Sequence, residues 1–405
     1  MNSPKLELAD IFRGCDLEEL ERKGPPLSSA QRRVLRDLMQ CRTAALGGHL
    51  ERCDQCGHTR IAYNSCRNRH CPKCQAVARA AWLAERAAEL LPVEYFHVVF
   101  TLPEQLSPLA LQNKRIIYGL LFKAASETLL EIAADPRHLG AEIGFLAVLH
   151  TWGQTLQHHP HLHCVVPGGG LSPDHSRWIA CRKGFFLPVR VLSRLFRRKF
   201  ISQLRKAFDE QELVCAGRLS HLEQKDRVEK LLAELGRMEW VVYAKPPFGG
   251  PERVLNYLAR YTFRVAISNH RLLELSAGQV TFSYKDYAAG NVTKTMTLEV
   301  CEFVRRFLLH VLPRGFVRIR SFGFLANRSR QEKLELCRRL IEHSGGGNSI
   351  ASPGTEQTSR QQAVMPESFL CPVCRRGRMI IIETIRASAD NRTGEALLAS
   401  LIDSS

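Results

Sequence analysis

Apolar and polar positions along the chain switch between helical and strand periods without a regular rhythm. Ser28 and Ser29 precede an amphipathic run over residues 30–40 that stops before Gly47-Gly48, the pattern of a capped helix. Residues 76–91 (AVARAAWLAERAAELL) predict a helix ended by Pro92, and residues 95–102 (YFHVVFTL) predict a strand ended by Pro103. A helical stretch follows over residues 106–134. Residues 143–151 and 161–167 read as strands, the second running into Gly168-Gly169-Gly170. Further β-rich pieces lie at 239–244, 272–275, 280–284 and 295–300, with helices at 254–264 and 301–312. Residues 344–367, rich in Gly, Ser, Gln and Thr, read as a linker. This irregular interleaving predicts an α+β fold.

The length of 405 residues suits two or three domains, and the 45% hydrophobic and 24% charged fractions exclude a mostly disordered or fibrous chain. No apolar run is long enough for a membrane span, and residues 1–14 carry charges where a signal peptide needs an apolar segment, so a cytoplasmic protein is expected. The formal net charge of +17 changes the picture more. Residues 344–405 hold six Arg, no Lys and six acidic residues, so the excess sits in residues 1–343. Such an excess favours polyanions, and nucleic acid is the commonest in a cytosol.

In a reducing compartment the 14 cysteines are not read as disulfides. Cys53-Asp-Gln-Cys56 and Cys71-Pro-Lys-Cys74 are two thiolate knuckles with 14 residues between them, a zinc-ribbon spacing that predicts one structural Zn²⁺ on Cys53, Cys56, Cys71 and Cys74. Cys41, His49, Cys66 and His70 remain, enough for a second zinc or else packed groups around the first. Arg67 and Arg69 between the knuckles are candidates for phosphate contact. Cys371-Pro-Val-Cys374 is half a zinc site: its partners could be Cys337 and His343 or the first zinc domain, or it could carry no metal.

His161 and His163 share one face of a strand while Leu162 points to the core. Two imidazoles on one face can hold a divalent cation, with His150 or Gln154 of the preceding strand as third ligand; the bland alternative is a solvated strand face. Tyr257 and Tyr261 lie four apart on a helix and share a face. Tyrosines so spaced commonly pack at a core edge, but Arg253, Arg260, Arg264 and Lys245 are near. A phenol needs a cation or metal beside it to attack at neutral pH.

Taken together, these motifs resemble the two-tyrosine HUH transposases of bacterial insertion sequences that move by a rolling-circle route. The resemblance spans residues 38–327. It covers Ser65-Cys-Arg-Asn-Arg-His-Cys-Pro-Lys-Cys74, His150-Thr-Trp-Gly-Gln154 leading to His159-Pro-His-Leu-His163, Lys245-Pro-Pro-Phe-Gly-Gly-Pro-Glu252, the tyrosine pair, and Arg318-Ile-Arg320 before Phe322-Gly-Phe324. Phe263 stands where the family pattern has a His.

The resemblance implies an HUH-type central antiparallel sheet flanked by helices, preceded by a small zinc-ribbon-like domain. It implies a zinc- and DNA-binding domain over 1–91 and a catalytic domain over 92–343; composition then sets a linker over 344–368 and a tail over 369–405 that carries the Cys371-Pro-Val-Cys374 knuckle. The resemblance implies Mg²⁺ or Mn²⁺ at His161 and His163, with Mn²⁺ the better match to imidazole, and attack by Tyr257 or Tyr261 on single-stranded DNA at the element's ends, giving a 5′-phosphotyrosine. DNA contacts are expected from Arg67, Arg69, Lys245, Arg260, Arg264, Arg318 and Arg320, and the protein would be nucleoid-associated. No nucleotide cofactor is expected, which agrees with the absence of a phosphate-binding G-x-x-x-x-G-K-[ST] loop. The rival readings are a rolling-circle replication initiator or relaxase, and a zinc-containing DNA-binding protein without catalysis.

Overall fold

The computed structural model describes residues 6–76, 78–79, 89–245, 265–287, 289–343 and 370–387. The N-terminal part opens with helices α1 (Leu8–Arg13), α2 (Leu17–Lys23) and α3 (Ser29–Gln40). Ser28 caps α3: its side chain accepts from the Gln31 N–H, and Gln31 Oε1 accepts from the Ser28 N–H at 2.9 Å. Strands β1 (Gly48–Cys53) and β2 (Thr59–Tyr63) form a hairpin whose turn holds the first cysteine knuckle, with Gly57 at φ +72° relaxing the chain after it. Residues 72–76 then turn helical, and most of the helix expected over 76–91 lies outside the described residues.

The middle of the chain builds β3 (Tyr95–Thr101), α4 (Ser107–Gln112), α5 (Lys114–Ala134), β4 (Gly144–Trp152), β5 (His158–Pro167), the small pair β6 (Gly169–Leu171) and β7 (Trp178–Ala180), α6 (Val189–Asp209), α7 (Lys225–Arg237) and β8 (Val242–Lys245). The helical stretch expected over 106–134 divides at Asn113. The Asn113 amide donates to the Val214 carbonyl and its Oδ1 accepts from the Val214 N–H, both at 2.8 Å, so the side chain is tied to a distant irregular segment. Residues 265–343 add a meander of β9 (Leu272–Ser276), β10 (Gln279–Asp286) and β11 (Val292–Glu299), then α8 (Val300–Leu308), β12 (Ile319–Gly323) and α9 (Arg330–His343); β13 (Met379–Ile385) follows in the tail.

The central sheet is five-stranded and antiparallel, in the order β12-β4-β5-β3-β8. This is the expected α+β architecture. On one face, Phe96, Val98, Phe100, Phe145, Leu149, Leu162 and Val166 pack with Leu121, Phe122, Phe196 and Phe200 of α5 and α6. Each such side chain contributes about 1.5–3 kcal/mol on burial. Because strand side chains alternate, that packing commits His97, His150, His161 and His163 to the opposite face.

A second core joins α1–α3 and Cys41, Cys71 and Cys74 to Trp152, Leu156, Phe282, Phe303 and Phe307. It seats the N-terminal helices against α8, the β9–β11 meander and the turn after β4. Among the described residues, no helix is long and apolar enough to cross a membrane.

Candidate functional site

Antiparallel pairing of β4 with β5 sets His150 opposite His161 and Val148 opposite His163. The ligand-capable nitrogens of His150, His161 and His163 all lie within 4.8 Å of one another. The expected pair therefore has a third imidazole beside it. Gln154, the other candidate, sits in the turn beyond β4, where its amide donates to the Tyr287 hydroxyl at 3.2 Å. The ladder between β4 and β5 slips between His150 and Trp152, and the Trp152 indole stacks on His150 at 4.6 Å and 21°.

Two further contacts orient the imidazoles. His161 Nδ1 donates to the His159 carbonyl at 2.6 Å, which leaves Nε2 as the acceptor nitrogen. His163 Nδ1 lies 2.7 Å from His97 Nε2, with the rings stacked at 4.9 Å. Burial first, then the Lys245 and His161 charges, holds His97 down at about 3, so it is neutral at pH 7. If His163 Nδ1 donates to His97, His163 Nε2 becomes the ligand nitrogen. Nothing in the sequence marks His97 beyond its place in the strand-like run 95–102; the fold sets it opposite Val165 on one side and Lys245 on the other.

Three convergent imidazoles, with no further His, Cys, Asp or Glu ligand grouped with them among the described residues, fit a divalent cation that keeps positions for substrate oxygens. Exposed Lys245 closes β8 on the same face, opposite His97. Tyr95, Leu146, Val165, Ile319 and Ser321 continue that face into a groove of about 390 Å³ also lined by Arg320 and Arg330. Tyr257, Tyr261, Arg260, Arg264 and Phe263 lie outside the described residues.

The cysteines divide differently from the expectation. Cys53, Cys56, Cys71 and Cys74 do not form one site. Cys41, Cys66, Cys71 and Cys74 converge, with Sγ–Sγ separations of 3.6 Å for Cys41–Cys74, Cys66–Cys74 and Cys71–Cys41. Cys53 and Cys56 converge instead with Cys371 and Cys374, at 3.7 Å for Cys53–Cys374 and 3.6 Å for Cys56–Cys371. The reason is the β1–β2 hairpin, which carries the first knuckle away from the second, while the second opens a helix packed against the end of α3 where Cys41 lies. Spacing along the chain could not show this.

A tetrahedral Zn–S site with bonds of about 2.3 Å has sulfur–sulfur edges of about 3.8 Å. The first cluster matches that edge and is nearly closed from solvent, with three of its four cysteines buried. The Cys66 thiol's hydrogen bond, against the opposing effect of burial, holds Cys71 down at about 5, in the thiolate form a metal needs. His49 and His70 join neither cluster. His70 is buried, and burial keeps it neutral at about 3; His49 Nδ1 is buried without a hydrogen-bond partner.

The expected DNA-binding arginines separate into two kinds. Arg67 is exposed and lines a basic groove with Arg42, Arg60, His49 and Tyr63. Arg69 is turned inward, donating to the Phe316 carbonyl at 2.7 Å and the Pro313 carbonyl at 3.1 Å. Arg318 is buried and donates to Gln75 Oε1 at 2.9 Å. Both tie the knuckle segment to the loop before β12, so their expected role as DNA contacts competes with these internal partners. Arg320 lies over the Phe122 ring at 4.1 Å but also lines the groove beside the histidines.

Comparison with known proteins agrees with this layout. The family model described as "Putative transposase" matches residues 144–333, and that described as "Transposase zinc-binding domain" matches residues 14–102. The chain is 59% identical over 378 residues to "Putative transposase y4qJ" of Sinorhizobium fredii, covering 93% of this chain and 95% of that protein. It is 28% identical over 323 residues to the transposase for insertion sequence element IS801 of Pseudomonas savastanoi pv. phaseolicola, covering 78% and 74%. No solved structure matches the chain. With His150, His161 and His163 inside the first match and the Cys41–Cys74 cluster inside the second, the chain belongs to the transposase family of IS91- and IS801-type insertion sequences and carries that family's zinc-binding domain at its N-terminal end.

Proposed function

We propose that the protein cuts and rejoins single-stranded DNA at the ends of its own element by a rolling-circle route, through 5′-phosphotyrosine intermediates. The observation that carries this reading is the convergence of His150, His161 and His163 on one face of the central antiparallel sheet. A Mg²⁺ or Mn²⁺ ion held there would supply Lewis-acid polarisation of a phosphoryl oxygen.

The chain's own groups do the rest. His97 and the His159 carbonyl hold two of the three rings in a ligating tautomer. Lys245, at the end of β8, gives a cation for the scissile strand, and the chain continues from it to Tyr257 and Tyr261. Either phenolic oxygen attacks phosphorus. The new bond is Tyr O–P, the bond broken is P–O3′, and the 3′ oxygen leaves as a hydroxyl. The phosphodiester energy is retained in the phosphotyrosine, so reversal by a 3′-OH needs no nucleotide cofactor. A second tyrosine permits transfer to target DNA before the first link is resolved. Arg67, Arg42 and Arg60 around the groove of the zinc-binding domain meet DNA phosphates and help recognise the element's ends.

The test is a covalent-adduct assay with labelled oligonucleotides from both element ends and Mn²⁺ or Mg²⁺. Wild-type protein gives an SDS-resistant, metal-dependent band; Tyr257→Phe with Tyr261→Phe, and His161→Ala, abolish it. A band that survives the double phenylalanine variant sinks the nucleophile assignment. Tight DNA binding with no band under any metal condition returns the protein to the non-catalytic class.

A further inference from the structure

We propose that Cys53, Cys56, Cys371 and Cys374 form a second, independent zinc site, split between the two ends of the chain, and that its metal is what clasps the C-terminal strand onto the zinc-binding domain. Two of its ligands lie beyond residues 14–102 and 144–333, the segments that match the transposase family. The inference does not depend on the nuclease reading.

Four observations converge on it. The four sulfurs lie within 4.8 Å of one another, with Cys53–Cys374 at 3.7 Å and Cys56–Cys371 at 3.6 Å, close to a tetrahedral edge, although Cys53 and Cys374 are 321 positions apart in the chain. Both turns have the local form of a metal knuckle. Backbone N–H groups of Gln55 and Cys56 point at Cys53 Sγ at 3.4 and 3.5 Å, and the Gly377 N–H points at Cys374 Sγ at 3.4 Å. The residue after each knuckle has a positive φ, +72° at Gly57 and +54° at Arg375. These N–H groups are placed to donate to ligating sulfurs.

Third, the two turns are built to touch. A Cβ on Gly377 would collide with Cys53 Sγ and come within 2.6 Å of Asp54 Oδ1, and the Arg378 N–H donates to that Oδ1 at 2.8 Å. At the far end of the same strand pair, Gly47 stands at φ +66° where a Cβ would lie 2.5 Å from the Ile385 carbonyl. Glycine at both ends lets β13 lie along β1 in the three-stranded sheet β13-β1-β2.

Fourth, apolar packing does not hold this segment. β13 buries only Met379, and its Ile380, Ile381 and Ile382 are 51%, 54% and 43% exposed. The local buried cluster is Cys53, Cys371 and Met379, with Cys374 at its edge. One strand pairing over so small a core is marginal in water. A segment that is ordered without a core needs a staple, and metal ligation by four thiolates is the staple whose ligands are already in place. The site is also more open than its neighbour: Cys56 is exposed, whereas Cys41, Cys71 and Cys74 are all buried. Its ion is the one that leaves first.

The test uses the full-length protein, with zinc counted by plasma mass spectrometry and thiolate coordination followed in the cobalt-substituted form. Wild type holds two ions per chain. Cys371→Ser/Cys374→Ser, Cys53→Ser/Cys56→Ser, and all four together each hold one, because all remove the same ion. In the tail variant, amide exchange of residues 379–385 rises to that of an unstructured segment, while α3 stays protected. Under a chromophoric chelator the wild type releases zinc in two phases, and only the slow phase remains in the tail variant. Two ions in the tail variant, or a single ion in the wild type that the tail variant keeps, overturn the proposal. So does loss of both ions in the tail variant, which would make the eight thiols one unit instead of two sites. Unchanged exchange over 379–385 after loss of one ion would leave a metal site but refute the clasp.

Discussion

His97 Nε2 lies 2.7 Å from His163 Nδ1, and this contact links a buried, neutral imidazole to one of the three histidines that converge on the face of the central sheet. The partner comes from β3 and the ligand from β5, paired so that His97 stands opposite Val165 and diagonal to His163, two residues along on the same face. Rotation of the His163 ring about its own bonds is thereby opposed by a hydrogen bond as well as by stacking.

His97→Ala should raise the Mn²⁺ concentration needed for half-maximal nicking by about 10–100-fold, the usual cost of removing the group that orients a metal-binding histidine. Saturating Mn²⁺ should restore most of the rate, and His97→Gln, which keeps a hydrogen-bonding atom near Nε2, should recover part of the affinity. A variant with unchanged metal requirement but a lower maximal rate would place His97 outside this role.

The neighbouring choice between His150 and Gln154 can be settled the same way. His150→Ala should lose nicking to a degree that added metal does not rescue, since it removes an imidazole of the triad. Gln154→Ala should stay within a few-fold of wild type, its amide being engaged with Tyr287. The opposite ranking, read as initial nicking rates across a metal titration, would exchange their roles.

Much of this face was legible in the sequence. Period-2 patterning over β4 and β5 with Leu162 between two histidines is enough to put His161 and His163 on one side, while parity alone leaves His150 and Gln154 equally placed for the third position until the end of β4 at Trp152 is known. What was not legible depends on contacts between distant segments. The β1–β2 hairpin separates Cys56 from Cys71 although only 14 residues intervene, while Cys374 is brought to Cys53 by strand pairing that no local pattern encodes. Arg318 and Arg69 look like any basic residues near a nucleic-acid site until their carbonyl and amide partners are known.

Those two arginines give a prediction that separates a structural pin from a phosphate contact. Arg69→Met should lower stability by about 1–3 kcal/mol, because it leaves the Phe316 and Pro313 carbonyls short of a donor, and Arg318→Met should cost a similar amount through Gln75. Neither should change the slope of log binding constant against log salt for element-end DNA. Arg67→Ala, on the exposed groove, should do the reverse: near-normal stability, with the slope reduced by about one. Parallel melting and salt-titration series decide it; a reduced slope for Arg69→Met would restore Arg69 to the DNA surface.

His310 makes the fold sensitive to acid. It is fully buried beside the turn that follows His150: Nε2–H donates to the Leu156 carbonyl at 3.1 Å, and Nδ1 lies 3.3 Å from Thr151 Oγ1, which can donate to it. Burial holds its pKa down at about 3, against the opposing bond to Leu156, while an unfolded chain titrates near about 6.5. Above pH 6.5 both states are neutral and the group contributes nothing to the pH dependence. Between 6.5 and 3 the unfolded state binds a proton that the folded state refuses, so stability falls as pH falls, by up to about 1.4 kcal/mol per pH unit. His310→Gln can donate to Leu156 and accept from Thr151 without titrating. Its unfolding free energy, measured by urea denaturation at pH 7, 6, 5 and 4, should therefore decline less steeply than the wild type's by one proton, even if it starts lower at pH 7. Parallel slopes would mean that His310 takes up its proton within the folded protein, and the acid sensitivity would then have to come from other buried groups such as His70 and His158.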